Sequence, residues 1–265
     1  MNTNSNTYTV IYSIILVVVV AAVLAFAAMF LKPTQDANVK KDTIGQILTA
    51  ATIAGVEDAQ ILDTYKDSIE TAILVDGKGN KVGELNIADC EVYGNADLKK
   101  QIAAADSLKK LPVYIFKNGI TVVPCYGAGL WGPIWGYVGL DKDLNTINAV
   151  RFGHKGETPG LGAKIADEPS FAEAFVGQTV GSGEILFEVN KPANRKTENN
   201  GVDAISGATI TSQALGETLN QWFGFYQNYF SMNGAACQQE CCNEGKDECC
   251  GECTENVEPA KTVEE

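Results

Sequence analysis

The sequence is poor in the residues on which several common functions depend. It has one histidine, His154, which excludes a metal site built from several imidazoles and leaves any histidine-dependent triad a single candidate. Lys and Arg number 20 against 33 Asp and Glu, a net charge of −13. Nucleic-acid binding is therefore not expected, because no basic surplus exists to neutralise phosphates. No Gly-x4-Gly-Lys-Ser/Thr phosphate loop is present.

Cysteine is scarce in the body of the chain. Of the eight cysteines, six lie between Cys237 and Cys253, which leaves only Cys90 and Cys125 elsewhere. A chain of 265 residues can bury roughly 75% of its unfolded surface, so it needs no disulfides to fold. The body is therefore not a disulfide scaffold.

A long uncharged segment lies near the N-terminus. Residues 8–31 carry no charge, and the nearly all-apolar stretch 10–31 would span about 33 Å as a helix, enough to cross a bilayer. This predicts a short tail, 1–7, followed by a transmembrane helix, 8–31. A cleaved signal peptide is the alternative, with residues 25–27 (Ala-Phe-Ala) as its cleavage site, but the apolar run exceeds the usual length for one.

The charges beside this segment bear on its orientation. Lys32, Lys40 and Lys41 follow the segment, and no Lys or Arg precedes it. By the positive-inside rule alone, the domain after it would stay in the cytoplasm.

The rest of the chain alternates between helical and strand periodicity. Apolar spacings of three and four predict helices over 36–54 and 57–68, and a short helix over 170–175. A period of two, interrupted by turn residues, predicts strands at 72–75, 81–85, 112–116, 120–123, 134–140, 146–152 and 184–189. One apolar face predicts a last helix from about Thr209: Leu215, Leu219, Trp222, Tyr226 and Tyr229. Together these indicate an α+β fold, with a twisted antiparallel sheet and flanking helices.

Three motifs could carry chemistry. In the first, from Asp203 to Thr209 (Asp-Ala-Ile-Ser-Gly-Ala-Thr), glycine and hydroxyls gather where a helix begins. Unpaired amides there attract phosphate, with an ordinary helix cap as the alternative. The second, 156–164 (Gly-Glu-Thr-Pro-Gly-Leu-Gly-Ala-Lys), alone indicates only a surface loop. The third, 127–137, sets two tryptophans among glycines, either as flat faces for an aromatic ring or as a corner of the core.

The three motifs in this order resemble the FMN-binding domain of the C subunit of the Na⁺-translocating NADH:quinone oxidoreductase. The G subunit of the related Rnf electron-transport complex shares this domain. The family's flavin-attachment pattern, Asp-x-x-Ser/Thr-Gly-Ala-Thr/Ser, is matched from Asp203 to Thr209. The resemblance covers residues 8–230, including the N-terminal anchor. It implies a division into an N-terminal part of the soluble domain, 32–110, and an FMN-binding domain, 111–232.

The resemblance implies that FMN is joined through its phosphate to the hydroxyl of Thr209. Thr211 and Ser212 carry nearby hydroxyls of the same chemistry, and only the motif separates them from Thr209. The further cofactor-binding residues that the resemblance implies are Asp203, Ser206, Gly207, Ala208, Thr158, Gly160, Leu161, Gly162 and Trp131. His154, just before the second motif, could hydrogen-bond to the flavin or supply a proton, or simply end a strand.

The resemblance also implies a function and partners. The chain would be an electron-carrier subunit that passes electrons from NADH towards ubiquinone, coupled to sodium-ion export, and would not be catalytic alone. Its partners would be the other subunits, a flavin transferase and membrane lipid. The domain would lie on the periplasmic side of the inner membrane, against the bias of the lysines. The Rnf G subunit and a non-redox membrane-anchored binding module are the alternatives.

The C-terminal tail, 233–265, departs from the family pattern. From Gly234 to Glu265 it has nine acidic residues and two lysines, a net −7, and no apolar face. It is therefore expected to be disordered unless metal or disulfides order it. Four of its six cysteines could bind zinc or an iron–sulfur cluster, although disulfides would compete in an oxidising compartment. The candidates are Cys237, Cys241, Cys242, Cys249, Cys250 and Cys253.

Overall fold

The computed structural model describes residues 6–194, 196 and 199–243. Six α-helices lie in this part of the chain: α1 (Asn6–Ala50), α2 (Ile61–Ser68), α3 (Asn95–Ala103), α4 (Lys164–Asp167), α5 (Pro169–Glu173) and α6 (Thr209–Asn243). The eight strands are β1 (Ile69–Val75), β2 (Lys81–Glu84), β3 (Leu111–Phe116), β4 (Thr121–Ala128), β5 (Pro133–Leu140), β6 (Ile147–His154), β7 (Glu188–Asn190) and β8 (Gly201–Asp203).

The main sheet is antiparallel, in the order β2-β1-β3-β4-β5-β6. Its strands are joined largely by the predicted hairpins, which turn at residues 76–80, 117–120 and 141–146. The predicted fold class, an antiparallel sheet with flanking helices, is confirmed.

The sheet lies between two apolar layers, because alternate side chains of a strand point to opposite faces. Ile73 and Val75 of β1 join a core that includes one face of α6, whereas Ala72 and Leu74 join a second core beneath the end of α1 and α2. The apolar face predicted for the last helix is buried in the first core. The domain is therefore a three-layer sandwich that holds α6 against β4.

The first helix is continuous, which the sequence does not predict. The pattern separates a membrane segment ending at residue 31 from a helix starting at 36, but α1 continues through Pro33. Proline removes one backbone hydrogen bond, which interrupts helical pairing locally without requiring the chain to leave the helix. Part of α1, from Tyr8 onward, is apolar and long enough to cross a membrane, and none of its most apolar window is buried in the protein.

The end of α1 is joined tightly to the sheet. Ile44, Ile47 and Leu48 are buried in the core, as the predicted helix face requires. A Cβ on Gly139 in β5 would lie 1.9 Å from the carbonyl oxygen of Ala50. Only glycine therefore permits this approach of helix backbone to strand.

Four short elements differ from the prediction. Helices α3 and α4 were not predicted, and the strand expected at 184–189 is β7, which starts at Glu188 and pairs in parallel with the unpredicted β8. Strands of three residues are too short to establish a period of two in the sequence. This small pair matters because β8 ends at Asp203, where the first motif begins.

Helix α6 continues to Asn243, past residue 233, where the sequence predicts the tail to begin. Gly234 is buried, and a Cβ there would lie 2.7 Å from the carbonyl oxygen of Asp143. The helix therefore keeps contact with the domain at the predicted boundary. The side chains of residues 235–243, with Cys237, Cys241 and Cys242, and residues 244–265, with Cys249, Cys250 and Cys253, lie outside the described part of the structure.

Candidate functional site

The three sequence motifs meet around one small cavity of about 240 Å³. The loop 129–132 between β4 and β5, the loop after β6 and the start of α6 all contribute to it. Its lining is Leu130, Glu157, Thr158, Leu161, Gly162, Gly207, Ala208, Thr209, Ile210 and Thr211. Six predicted cofactor-binding residues therefore lie together here: Thr158, Leu161, Gly162, Gly207, Ala208 and Thr209.

The other four predicted residues lie outside this lining. Gly160, Ser206 and Trp131 are exposed and adjoin residues that line the cavity. Asp203 instead lines a separate cavity of about 550 Å³, together with Lys164 and Glu168. Asp203 therefore lines a different cavity from Thr209.

A tight turn sets the direction of α6. Gly207 has φ of +80°, a conformation that glycine adopts without steric cost, and the amide of Ala208 donates to the carbonyl of Ile205 at 3.0 Å. The Ser212 hydroxyl accepts from the amide of Ile205 at 3.0 Å, which ties the first turn of the helix back to the loop. The chain therefore enters the helix at Thr209, and the amides of a first helical turn, which have no partner within the helix, favour an anion.

The environments of the three candidate hydroxyls differ. Thr209 is partly exposed, lines the cavity, and its hydroxyl forms no hydrogen bond within the described residues. Thr211 is 1% exposed and its hydroxyl donates to Glu157, while Ser212 is fully buried and hydrogen-bonded. Of the three, only the Thr209 hydroxyl is accessible and uncommitted.

Glu157 connects the three motifs, and sequence reasoning missed it. Its carboxylate accepts from the Thr211 hydroxyl at 2.7 Å and from the amide of Trp131 at 2.9 Å. It is 4% exposed. A glutamate in a glycine-rich loop is expected to face water. The sequence feature that could have indicated a role for Glu157 is its place near the start of the second motif. Its burial depends on contacts from distant parts of the chain.

The second motif folds back on itself beside the cavity. The carbonyl of Thr158 accepts from the amides of Leu161 and Ala163, each at 3.1 Å. Gly160 has φ of +74° at the tip of this turn, which explains the glycine there. The turn places Thr158 and Leu161 along the cavity and leads into α4.

His154 ends β6, half-buried, and does not line the cavity. Its Nδ1 accepts from the amide of Glu157 at 3.2 Å. This geometry agrees with the plainer interpretation of a histidine that ends a strand and supports the following loop.

The two tryptophans of the third motif have different environments. Trp131 is 69% exposed and follows Leu130, which lines the cavity together with the exposed side chains of Leu161 and Ile210. Trp135 packs against Gly153, where a Cβ would lie 2.6 Å from the indole, and its Nε1 donates to Gln46 of α1 at 2.9 Å. Trp131 is therefore available to a ligand, whereas Trp135 joins the sheet to the first helix.

The residues around the cavity suit the phosphate and the ring of an FMN. A free hydroxyl lies at the start of a helix, and the apolar side chains around the cavity offer a surface for a flat ring. A cavity of about 240 Å³ is smaller than typical ligand pockets of roughly 300–1,000 Å³, so it would hold only part of such a group.

Comparison with known proteins agrees with this geometry. The FMN-binding domain family matches residues 129–224, which contain all three site segments. The C subunit of the Na⁺-translocating NADH-quinone reductase of Haemophilus ducreyi is 32% identical over 235 residues, covering 83% of this chain and 90% of that protein. The corresponding protein of Neisseria meningitidis serogroup B is 32% identical over 220 residues, covering 77% and 84%.

Solved structures show the same similarity. The C subunit of the Na⁺-translocating NADH-quinone reductase from Parabacteroides distasonis is 33% identical with a TM-score of 0.65, covering 76% of this chain and 97% of that one. NqrC from Shewanella oneidensis is 26% identical with a TM-score of 0.60, covering 75% and 99%. The chain therefore belongs to the family of C subunits of the Na⁺-translocating NADH-quinone reductases, and it has that family's FMN-binding domain.

Proposed function

We propose that the chain is the membrane-anchored subunit of a Na⁺-translocating NADH:quinone oxidoreductase that carries FMN covalently on Thr209. In this role it passes electrons from NADH towards ubiquinone as part of a complex that exports sodium ions. The single observation that carries the proposal is the accessible, uncommitted hydroxyl of Thr209 beside two buried hydroxyls of the same motif.

Attachment requires a separate flavin transferase with FAD as donor. A bond forms between the Thr209 oxygen and the phosphorus of the FMN half of FAD, the pyrophosphate bond breaks, AMP leaves, and the hydroxyl loses its proton. The first turn of α6 supports this step, because its unpaired amides favour the phosphate charge. Asp203, at the end of β8, is proposed as a recognition residue for the transferase.

The flavin supplies the redox chemistry when bound, and the chain supplies attachment and orientation. The turn at Gly207 leads into Thr209, which lines the cavity. Leu161 and Leu130 line the same cavity and keep part of its wall apolar. The exposed indole of Trp131 is proposed to contact the flavin ring.

The continuous first helix supports the proposed membrane placement. Its apolar part would span the inner membrane, and its end at Ala50 packs on the sheet that leads to the site. Residues 32–43 between these parts extend about 18 Å at 1.5 Å per residue, which would separate the flavin domain from the lipid surface. We place the domain on the periplasmic side, where the family's transferase acts.

Expression of the full chain with a flavin transferase tests the proposal. The denatured protein should show flavin fluorescence in a gel, and Thr209→Ala should abolish it, whereas Gln213→Ala on the exposed side of the same helix should keep it. Tryptic cleavage leaves residues 197–246 in one peptide, so fragmentation within it is needed to place FMN, less one water, on Thr209.

Fluorescence that persists in Thr209→Ala would refute the attachment site. A wild-type chain that stays colourless beside a flavinylated positive control would favour the non-redox binding module.

A further inference from the structure

We propose that Glu157 is a positioning residue of the flavin site with two effects. Its carboxylate holds the Trp131 loop and the first turn of α6 together, and its negative charge lowers the reduction potential of the flavin on Thr209. The second effect rests on the proposed function, whereas the first is a property of the chain without flavin.

The holding effect follows from the contacts of the carboxylate. One oxygen accepts from the amide of Trp131 at 2.9 Å and the other from the hydroxyl of Thr211 at 2.7 Å. Trp131 lies in the loop between β4 and β5, and Thr211 lies two residues after the attachment threonine. A single side chain therefore connects the exposed indole of the site to the helix that would carry the phosphate.

Two glycines make room for this carboxylate. A Cβ on Gly129 would lie 2.6 Å from one carboxylate oxygen, and a Cβ on Gly162 would lie 2.6 Å from the other. Both distances are far below van der Waals contact, so glycine at these two positions is needed for the carboxylate to occupy its place. The surrounding backbone is therefore shaped around Glu157.

The charge effect follows from burial and from the lack of an ion pair to Glu157 among the described residues. Glu157 is 4% exposed and lines the same cavity as Thr209. The ion pairs among the described residues are Lys81–Glu84, Lys100–Asp97 and Lys109–Asp106, and none includes Glu157. Water screens a buried charge weakly, and reduction adds electrons to a nearby flavin. A carboxylate at this position therefore disfavours the reduced flavin.

Three substitutions separate the two effects. Glu157→Gln removes the charge but keeps an acceptor for the Trp131 amide, and its NH₂ can donate to the Thr211 hydroxyl, which accepts as well as donates. Thr211→Val keeps the charge and removes one contact. Glu157→Ala removes the charge and both contacts.

Two measurements on the full chain are needed. Hydrogen exchange of the Trp131 amide in the flavin-free protein reports the holding effect. Reductive titration of the flavin-loaded protein against a reference dye reports the midpoint potential. Covalent flavin content, measured by absorbance of the denatured protein, accompanies both.

We expect Glu157→Gln to keep exchange close to wild type and to raise the midpoint potential. Thr211→Val should leave the potential unchanged. Glu157→Ala should accelerate exchange of the Trp131 amide by at least about tenfold, because a hydrogen bond to a charged group is lost, and should load less flavin.

A Glu157→Gln protein with the wild-type potential would overturn the charge effect. Wild-type exchange in Glu157→Ala would overturn the holding effect; if that variant fails to fold, wild-type exchange in Glu157→Leu, which also lacks an acceptor for the Trp131 amide, would overturn it instead. Failure of the wild-type chain to take up flavin would refute the proposed function, and the exchange measurement would still decide the holding effect.

Discussion

The hydroxyl of Thr211 donates to the carboxylate of Glu157 at a distance of 2.7 Å, and both side chains are buried. This contact joins residues 54 positions apart in the chain. It occupies one of the two hydroxyls that compete with Thr209 for flavin attachment. It also places a carboxylate in the wall of the cavity that Thr209 lines.

Gly162→Ala should destabilise the domain by about 1–3 kcal/mol, the usual cost of overpacking a filled site. The new methyl group would meet the carboxylate of Glu157 at 2.6 Å and the hydroxyl of Thr211 at 2.8 Å. Urea unfolding at fixed detergent concentration measures the change. Gly156→Ala in the same loop has open space around its Cβ and should stay within about 0.5 kcal/mol of wild type. Equal stability of the two variants would contradict the packing described here.

Gly139→Ala should loosen the junction between the first helix and the sheet. Its Cβ would lie 1.9 Å from the backbone oxygen of Ala50, and backbone cannot turn aside as a side chain can. We expect the free energy of unfolding to fall by about 3 kcal/mol or more, which is at or above the upper end of the usual cost of overpacking. Protease sensitivity between α1 and α2, with urea unfolding, measures it. Gly83→Ala in β2, whose Cβ would meet no atom closer than 3.5 Å, is the matched control and should be neutral or slightly stabilising. A neutral Gly139→Ala would contradict the close approach.

The domain should lose stability at alkaline pH. Burial raises the pKa of the Cys125 thiol from 9.0 to about 12, so the thiol ionises near pH 9 when unfolded but keeps its proton in the folded state. The protonated thiol therefore makes its full contribution to the free energy of unfolding below pH 9. This contribution is lost as the pH rises to about 12, at a slope of up to about 1.4 kcal/mol per pH unit.

Burial also raises the pKa values of the Tyr114 and Tyr226 hydroxyls, so these groups likewise lower the free energy of unfolding as the pH rises above 10. Urea unfolding between pH 8 and 11 measures the loss. Cys125→Ala should flatten the slope between pH 9 and 10, and an unchanged slope in that variant would contradict the assignment to Cys125.

The domain should lie outside the cytoplasm. A reporter active only in the periplasm, fused after Glu265, should be active, and a cytoplasm-only reporter at the same site should be silent. The opposite result would show that Lys32, Lys40 and Lys41 orient the helix by the positive-inside rule. Replacing these three lysines with glutamine should leave the periplasmic reporter active if they do not set the orientation.

The sequence by itself determined the longer elements and the motifs of this protein. The uncharged segment predicted the membrane helix, alternating patterns predicted the hairpins of the main sheet, and the spacing from Leu215 to Tyr229 predicted the buried face of α6. These features depend on residues close together in the chain, whose periodicity directly reflects the geometry of a helix or a strand. The attachment motif named Thr209 but did not distinguish its chemistry from that of Thr211 or Ser212.

Only the tertiary structure decided which hydroxyl is accessible and which loop residue is buried. Thr211 and Ser212 are enclosed because α6, which contains them, packs on β4, and Glu157 is buried because two other segments contact its carboxylate. The same holds for Gly139, whose need for glycine arises from a helix end about 90 residues earlier in the chain. Burial and close approach depend on contacts between distant segments, and such contacts leave no periodic signal in a single sequence.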